Sequence, residues 1–181
     1  MKKLLIGAIV GGLLLFIWQS LSWTVFDLHA KGHIHTDNQD AILSMLSTSL
    51  PGEGAYFLPM PKPGSSEAEQ QAVIEQAMGK PWAQIYYHQS LNLDMGINIV
   101  RGLLVTIVLM GLFCWIIGKI AAPKMGTVFL ASLFAGLIVF LNGVYTMHIW
   151  YPIFDLMEHF VDSIISWGLA GIWLGWWYAR K

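Results

Sequence analysis

Four long apolar segments divide this chain of 181 residues and constrain its fold more than any other feature. They run from Leu4 to Phe26, Ile97 to Gly118, Gly126 to Met147 and Phe160 to Tyr178. Each approaches the roughly 20 residues that a helix needs to cross a hydrocarbon core about 30 Å thick. No water reaches the backbone inside lipid, so each segment is expected to be a helix that closes its own hydrogen bonds. Composition agrees, with 56% hydrophobic and 12% charged residues, where soluble domains carry about 25% charged. The expected fold class is an all-α membrane protein, a four-helix transmembrane bundle with a small α/β extracytoplasmic domain inserted between helices 1 and 2. Residues 1–26 are the first helix, 27–95 the inserted domain and 96–181 the remaining three helices, with a short outer connection at 148–159.

The first segment resembles a secretory signal in its Lys2-Lys3 start and in Ser20 and Ser22. Its apolar run continues through Trp18, Trp23 and Phe26, however, and bulky Trp23 would follow the cut directly, so an uncleaved anchor is expected. Lys2 and Lys3, Lys119 and Lys124, and Arg180 and Lys181 then fall at three points that the positive-inside rule assigns to the cytoplasm. All eleven acidic residues and all six histidines fall on the other side. The expected location is the inner (plasma) membrane, multi-pass, with both termini cytoplasmic and residues 27–95 periplasmic. The turn around Pro123 leaves no room for a cytoplasmic domain.

Small residues recur at four-residue spacing: Gly7 and Gly11, Ala8 and Gly12, Ala131 and Ala135, Ser132 and Gly136, Gly171 and Gly175. Such stripes allow backbones to approach closely, so they predict a compact bundle, self-association, or both. Polar residues inside the segments are few: Asn98, Arg101, Thr106, Asn142 and Thr146. No carboxylate lies near the centre of any segment, which argues against ion-coupled transport. Arg101 is expected to snorkel to the interface or to pair with Asp94, Asp155 or Asp162. Cys114 is the lone cysteine, so an intramolecular disulfide is excluded and a packing role is expected.

In the inserted segment, Asp37 with Asp40 and Ser66 with Glu69 have capping-box register and predict two helix starts. Ala55 to Leu58 and Trp82 to His88 read as strands, pairing either parallel or antiparallel. A two-stranded sheet is marginal alone, so this domain is expected to pack on the helix ends or on a partner.

Two groups of residues carry metal chemistry. Asp27, His29, Lys31, His33, His35 and Asp37 alternate, and in an extended chain they would share one face. His33 and His35 could then hold a zinc or copper ion together, with His88 or a carboxylate supplying another ligand. The second group follows Pro152, read as a first helical residue. Asp155, Glu158, His159 and Asp162 fall at i, i+3, i+4 and i+7 on one helical face, with His148 across a short connection.

A formal charge of −1 and the lack of a basic cluster exclude nucleic acid as a partner. No phosphate loop, catalytic triad, CxxC pair or HExxH is present. The expected function is a non-enzymatic accessory, scaffold or assembly subunit of a bacterial inner-membrane complex. Its partners would be the lipid bilayer and a second membrane protein or a copy of itself. The alternative is an outward-facing zinc- or copper-binding membrane protein for metal handling. A membrane-embedded enzyme using Asp155, His159 and Asp162 comes third, because it requires a cavity reaching that face.

Overall fold

The computed structural model describes residues 1–180. Along the chain run α1 (Lys2–Thr24), a 3-10 turn (Leu28–Gly32), α2 (Gln39–Ser49), β1 (Gly54–Leu58), α3 (Glu67–Ala77), β2 (Ala83–Tyr87) and α4 (Met95–Ile117). Then follow α5 (Met125–Val139), a π-helical segment (Phe140–Tyr145), α6 (Thr146–Trp150) and α7 (Leu156–Ala179). Two compact units result, one from residues 1–34 with 94 onward, the other from residues 35–93.

In the first unit, three helical stretches are long and apolar enough to cross a membrane: Lys2–Thr24, Met95–Ile117 and Met125–Trp150. The fourth expected segment, α7, is equally long at 24 residues, but Glu158, Asp162 and several glycines and tryptophans dilute its apolar character. Its position explains why. α7 packs against both α1 and α5, and Trp167, Ala170, Gly171, Leu174 and Gly175 are buried. A helix flanked by protein on two sides needs less oily surface than one facing lipid all round.

Small residues make these contacts. A Cβ on Gly12 would lie 2.6 Å from the Ile107 Cα, and one on Gly7 would lie 2.7 Å from the Cys114 Sγ, so α1 and α4 touch nearly backbone to backbone. On the other pair, a Cβ on Gly171 would meet the Ser132 Cβ at 2.7 Å, and one on Gly136 would meet the Ser163 carbonyl at 2.8 Å. The Ser132 hydroxyl donates to the Trp167 carbonyl at 2.6 Å across the same seam. The stripes predicted from spacing are therefore spent within one chain, pairing α1 with α4 and α5 with α7.

The pairs close on each other at one end. Phe113 meets Trp167 edge to face at 5.6 Å, and the Tyr178 hydroxyl donates to the Cys114 carbonyl at 3.2 Å. The Trp177 indole donates to the Lys3 carbonyl at 3.0 Å, and the Lys3 ammonium reaches the Arg180 carbonyl. Lys3 and Lys119 line one crevice with Tyr178, and Lys3 reaches Arg180, so basic residues from three separate parts of the sequence share this end. Cys114 is fully buried here, as a packing residue should be.

The second unit holds α2, α3 and a two-stranded sheet. β1 and β2 pair antiparallel, with Gly54 opposite Tyr87 and Leu58 opposite Ala83. Ser66 and Glu69 form the expected capping box at α3. Glu69 is held below its usual acidity range by the bond from the Ser66 backbone amide, helped by the Ser66 hydroxyl. The Asp37–Asp40 box does not form. Asn38 precedes α2 without a side-chain cap, because a capping box needs the reach of Glu or Gln at its third position.

Candidate metal centre

After α1 the chain does not run extended, as the alternation of polar residues suggested. Asp27 adopts left-handed dihedrals, φ 46° and ψ 41°, a conformation that Asp tolerates better than most residues. A 3-10 turn follows, with the Ala30 amide bonded to the Asp27 carbonyl. The period-2 face is thus replaced by a turn of period 3, and His29 alone swings inward, to 2% exposure.

It meets the start of α7. That helix begins at Leu156 rather than at Pro152, with Asp155 as its N-terminal flanking residue. Pro152 to Asp155 stays irregular, which places the Asp155 carboxylate at the mouth of the helix, where the helix dipole favours it. His159 and Asp162 follow one and two turns later on the same side.

His29 Nδ1 lies 2.7 Å from Asp155 Oδ2, and Nε2 lies 3.0 Å from Asp162 Oδ2. His159 Nε2 is 3.4 Å from the same Asp155 oxygen. One ligand atom from each of His29, Asp155 and His159 falls within 4.8 Å of the others, the spread of a metal-ligand set. Asp162 is anchored from behind by the Trp18 indole, which donates to Oδ1 at 2.9 Å. The Trp23 ring stacks on His29 at 4.0 Å and 7°. Gly32 backs the site: a Cβ there would lie 2.9 Å from Asp155 Oδ2. Outside the cluster, Lys31 pairs with Glu158 at 3.2 Å.

Electrostatics favour charge on His29 and Asp155, whereas burial lowers the pKa of His159 and favours its neutral, metal-binding form. Burial alone would discourage protonation of His29, but the bonds to Asp162 and Asp155 outweigh it and hold its pKa above 6.5. Burial would likewise raise that of Asp155, yet the His29 bond and the nearby His159 ring bring it below 3.8. With both nitrogens protonated, His29 clamps two carboxylates. With a metal on Nδ1, the Nε2–H still donates to Asp162, the carboxylate–histidine–metal arrangement that fixes tautomer and ring orientation.

Of the residues expected from sequence, His29, Asp155, His159 and Asp162 converge. His33 is exposed beside the cluster, edge-on to Trp23 at 5.8 Å. His35 belongs to the second unit, where its Nε2–H donates to Asp37 and its Nδ1 accepts from Gln39. His88 is exposed after β2 in that unit. His148 has its Nδ1 engaged by the Ile153 amide at 3.1 Å. Trp18, Trp23 and Gly32 were not anticipated as parts of a site. Both tryptophans carry the signature of a membrane-interface belt, and no sequence signal separates that role from holding Asp162 and covering His29.

His159 and Asp162 also line a cleft of roughly 570 Å³ between α1, α4, the π-helical segment and α7. The cavity that an embedded active site requires is therefore present. No protein-family model, curated protein or solved structure matches this chain.

Proposed function

We propose that this chain is a four-span membrane protein that binds one divalent transition-metal ion, zinc or copper, through His29, Asp155 and His159 on the extracytoplasmic side. The observation that carries this reading is the convergence of three ligand atoms from two distant parts of the chain, with a carboxylate already on the remote nitrogen of His29. Two imidazoles and a carboxylate suit zinc and copper better than magnesium or calcium, which prefer all-oxygen sets. Three protein ligands leave a fourth position open, as in sites that exchange ligands rather than purely structural ones. The open position suits a protein that accepts or passes on a metal ion. The sidedness rests on the shared basic end of the bundle, which the positive-inside rule assigns to the cytoplasm.

Metal analysis of full-length protein purified without a histidine tag tests the proposal. About one zinc or copper per chain, lost in His159→Ala, is the expected result. No metal above buffer after incubation with either ion would end the reading. A second reading, an accessory subunit of a membrane complex, draws on the exposed α4 residues Leu104, Val108, Leu112 and Trp115. Gentle extraction that always yields a lone monomer would remove it.

A further inference from the structure

Beyond Phe113 and Trp167, Trp18 and His29 still tie α1 to α7, but α4 stands off from α5 and the π-helical segment, and the gap is the cleft beside His159. Its α4 wall runs from Asn98 to Leu109, about 16 Å of helix and half the thickness of a hydrocarbon core. Val105 and Leu109 make that wall apolar, and Val139 and Val144 face them from α5 and the π-helical segment. A π-helical turn is rare and is found most often where a helix has been reshaped for a site. Arg101 sits near the top of the α4 wall, one turn from Asn98. No carboxylate among the described residues pairs with it, so of the two expectations for Arg101 the pairing with Asp94, Asp155 or Asp162 does not form. Asp162, the acid on the opposite wall, has both oxygens occupied by His29 and Trp18 and a side chain only 12% exposed.

We infer that this cleft holds one anionic phospholipid, with its phosphate on the Arg101 guanidinium and an acyl chain lying against Val105, Leu109 and Val144. The charge decides the class. A guanidinium lacking a partner at the edge of an apolar trough matches a phosphate bidentately, and the trough opens on the medium that supplies such molecules. A soluble anion would leave the apolar walls unused. The inference stands apart from the metal reading, because no ligand of the proposed ion contributes the charge that selects the lipid.

The test uses full-length protein in mild detergent, with and without added zinc. It is mixed with equal amounts of phosphatidylglycerol and phosphatidylcholine of identical chains, and bound lipid is read by native mass spectrometry. One phosphatidylglycerol per chain, preferred about tenfold or more, is expected, because phosphatidylcholine carries the same phosphate with its own ammonium beside it, which competes with and repels the Arg101 guanidinium. Arg101→Gln should reduce the preference to within twofold, and Arg101→Lys should keep most of it. Val105→Trp, which fills the trough, should lower retention of both lipids. Equal retention by the natural protein, a preference that survives Arg101→Gln, or displacement by millimolar inorganic phosphate would each overturn the inference. Should Arg101→Gln not fold, undiminished lipid retention in Val105→Trp would overturn it alone. Loss of zinc binding with lipid preference intact would count against the metal reading only.

Discussion

Replacing Asp162 with Asn probes the centre more sharply than removing a ligand. Asp162 Oδ2 accepts from His29 Nε2 at 3.0 Å, and Oδ1 accepts from the Trp18 indole at 2.9 Å. The amide keeps the shape and keeps one acceptor, which Trp18 can retain. Its NH2 then faces His29 Nε2 as a donor, so that nitrogen must accept and the ring proton moves to Nδ1. That is the nitrogen facing Asp155, and a protonated nitrogen has no lone pair for a metal. Loss of an outer-shell carboxylate of this kind lowers affinity by about 10–100-fold, or about 1.4–2.7 kcal/mol. A zinc titration against a chromophoric chelator at fixed pH measures the change. Glu158→Gln, which breaks the pair with Lys31 but removes neither a proposed ligand nor the carboxylate behind His29, should cost clearly less than D162N. An affinity for D162N within twofold of the natural protein would refute the tautomer reasoning. A loss beyond a thousandfold would refute it differently, by making Asp162 a ligand itself.

Other outcomes follow from the same geometry. His29→Ala leaves the Asp155 and Asp162 carboxylates without their shared cation, which should cost about 3–5 kcal/mol, whereas His159→Ala should cost much less; thermal unfolding of the metal-free proteins separates them. In metal-free protein the clamp has a pH window. The raised pKa of His29 makes its contribution complete below about 6.5 and lost as pH rises through the folded value, while the lowered pKa of Asp155 makes its contribution complete above about 3.8 and lost as pH falls through its own. Unfolding temperature should therefore fall on both sides of that interval, and zinc affinity should rise with pH as the Nδ1 proton leaves. Gly171→Val drives a side chain into Ser132 across the α5–α7 seam and should destabilise by about 1–3 kcal/mol, read as a lower melting point in detergent. Gly32→Ala crowds Asp155 Oδ2 without removing a ligand and should weaken zinc binding while leaving α-helical content unchanged by circular dichroism.

Unbroken apolar length made the long helices legible, since length and hydropathy alone decide them. Spacing of small residues made the helix seams legible too, because a glycine that touches another backbone must recur with the helix. The α7 half of the site was equally visible: Asp155, His159 and Asp162 share a face by spacing alone. The other half was not. His29 was one of three histidines in a run that reads as extended, and only the left-handed Asp27 and the 3-10 turn select it over His33 and His35. Nothing local announces that turn, which exists because residues more than a hundred positions away complete it. The π-helical segment was hidden for a similar reason, as a single shifted turn leaves no mark on an apolar pattern.

The order in which the helices pair has a consequence for biogenesis. The α1–α4 seam can form as soon as those two helices have emerged from the ribosome, but α7 is made after α1, α4 and α5 and touches both α1 and α5. Its diluted apolar character makes it the weakest candidate to enter lipid unaided, so neighbours already in place would act as its docking template. Asp155, His159 and Asp162 arrive with it, so His29 waits without these counter-ions until α7 has been made. Truncation just before α7 should therefore leave a nascent chain that is short of one helix and recognisable to membrane quality control.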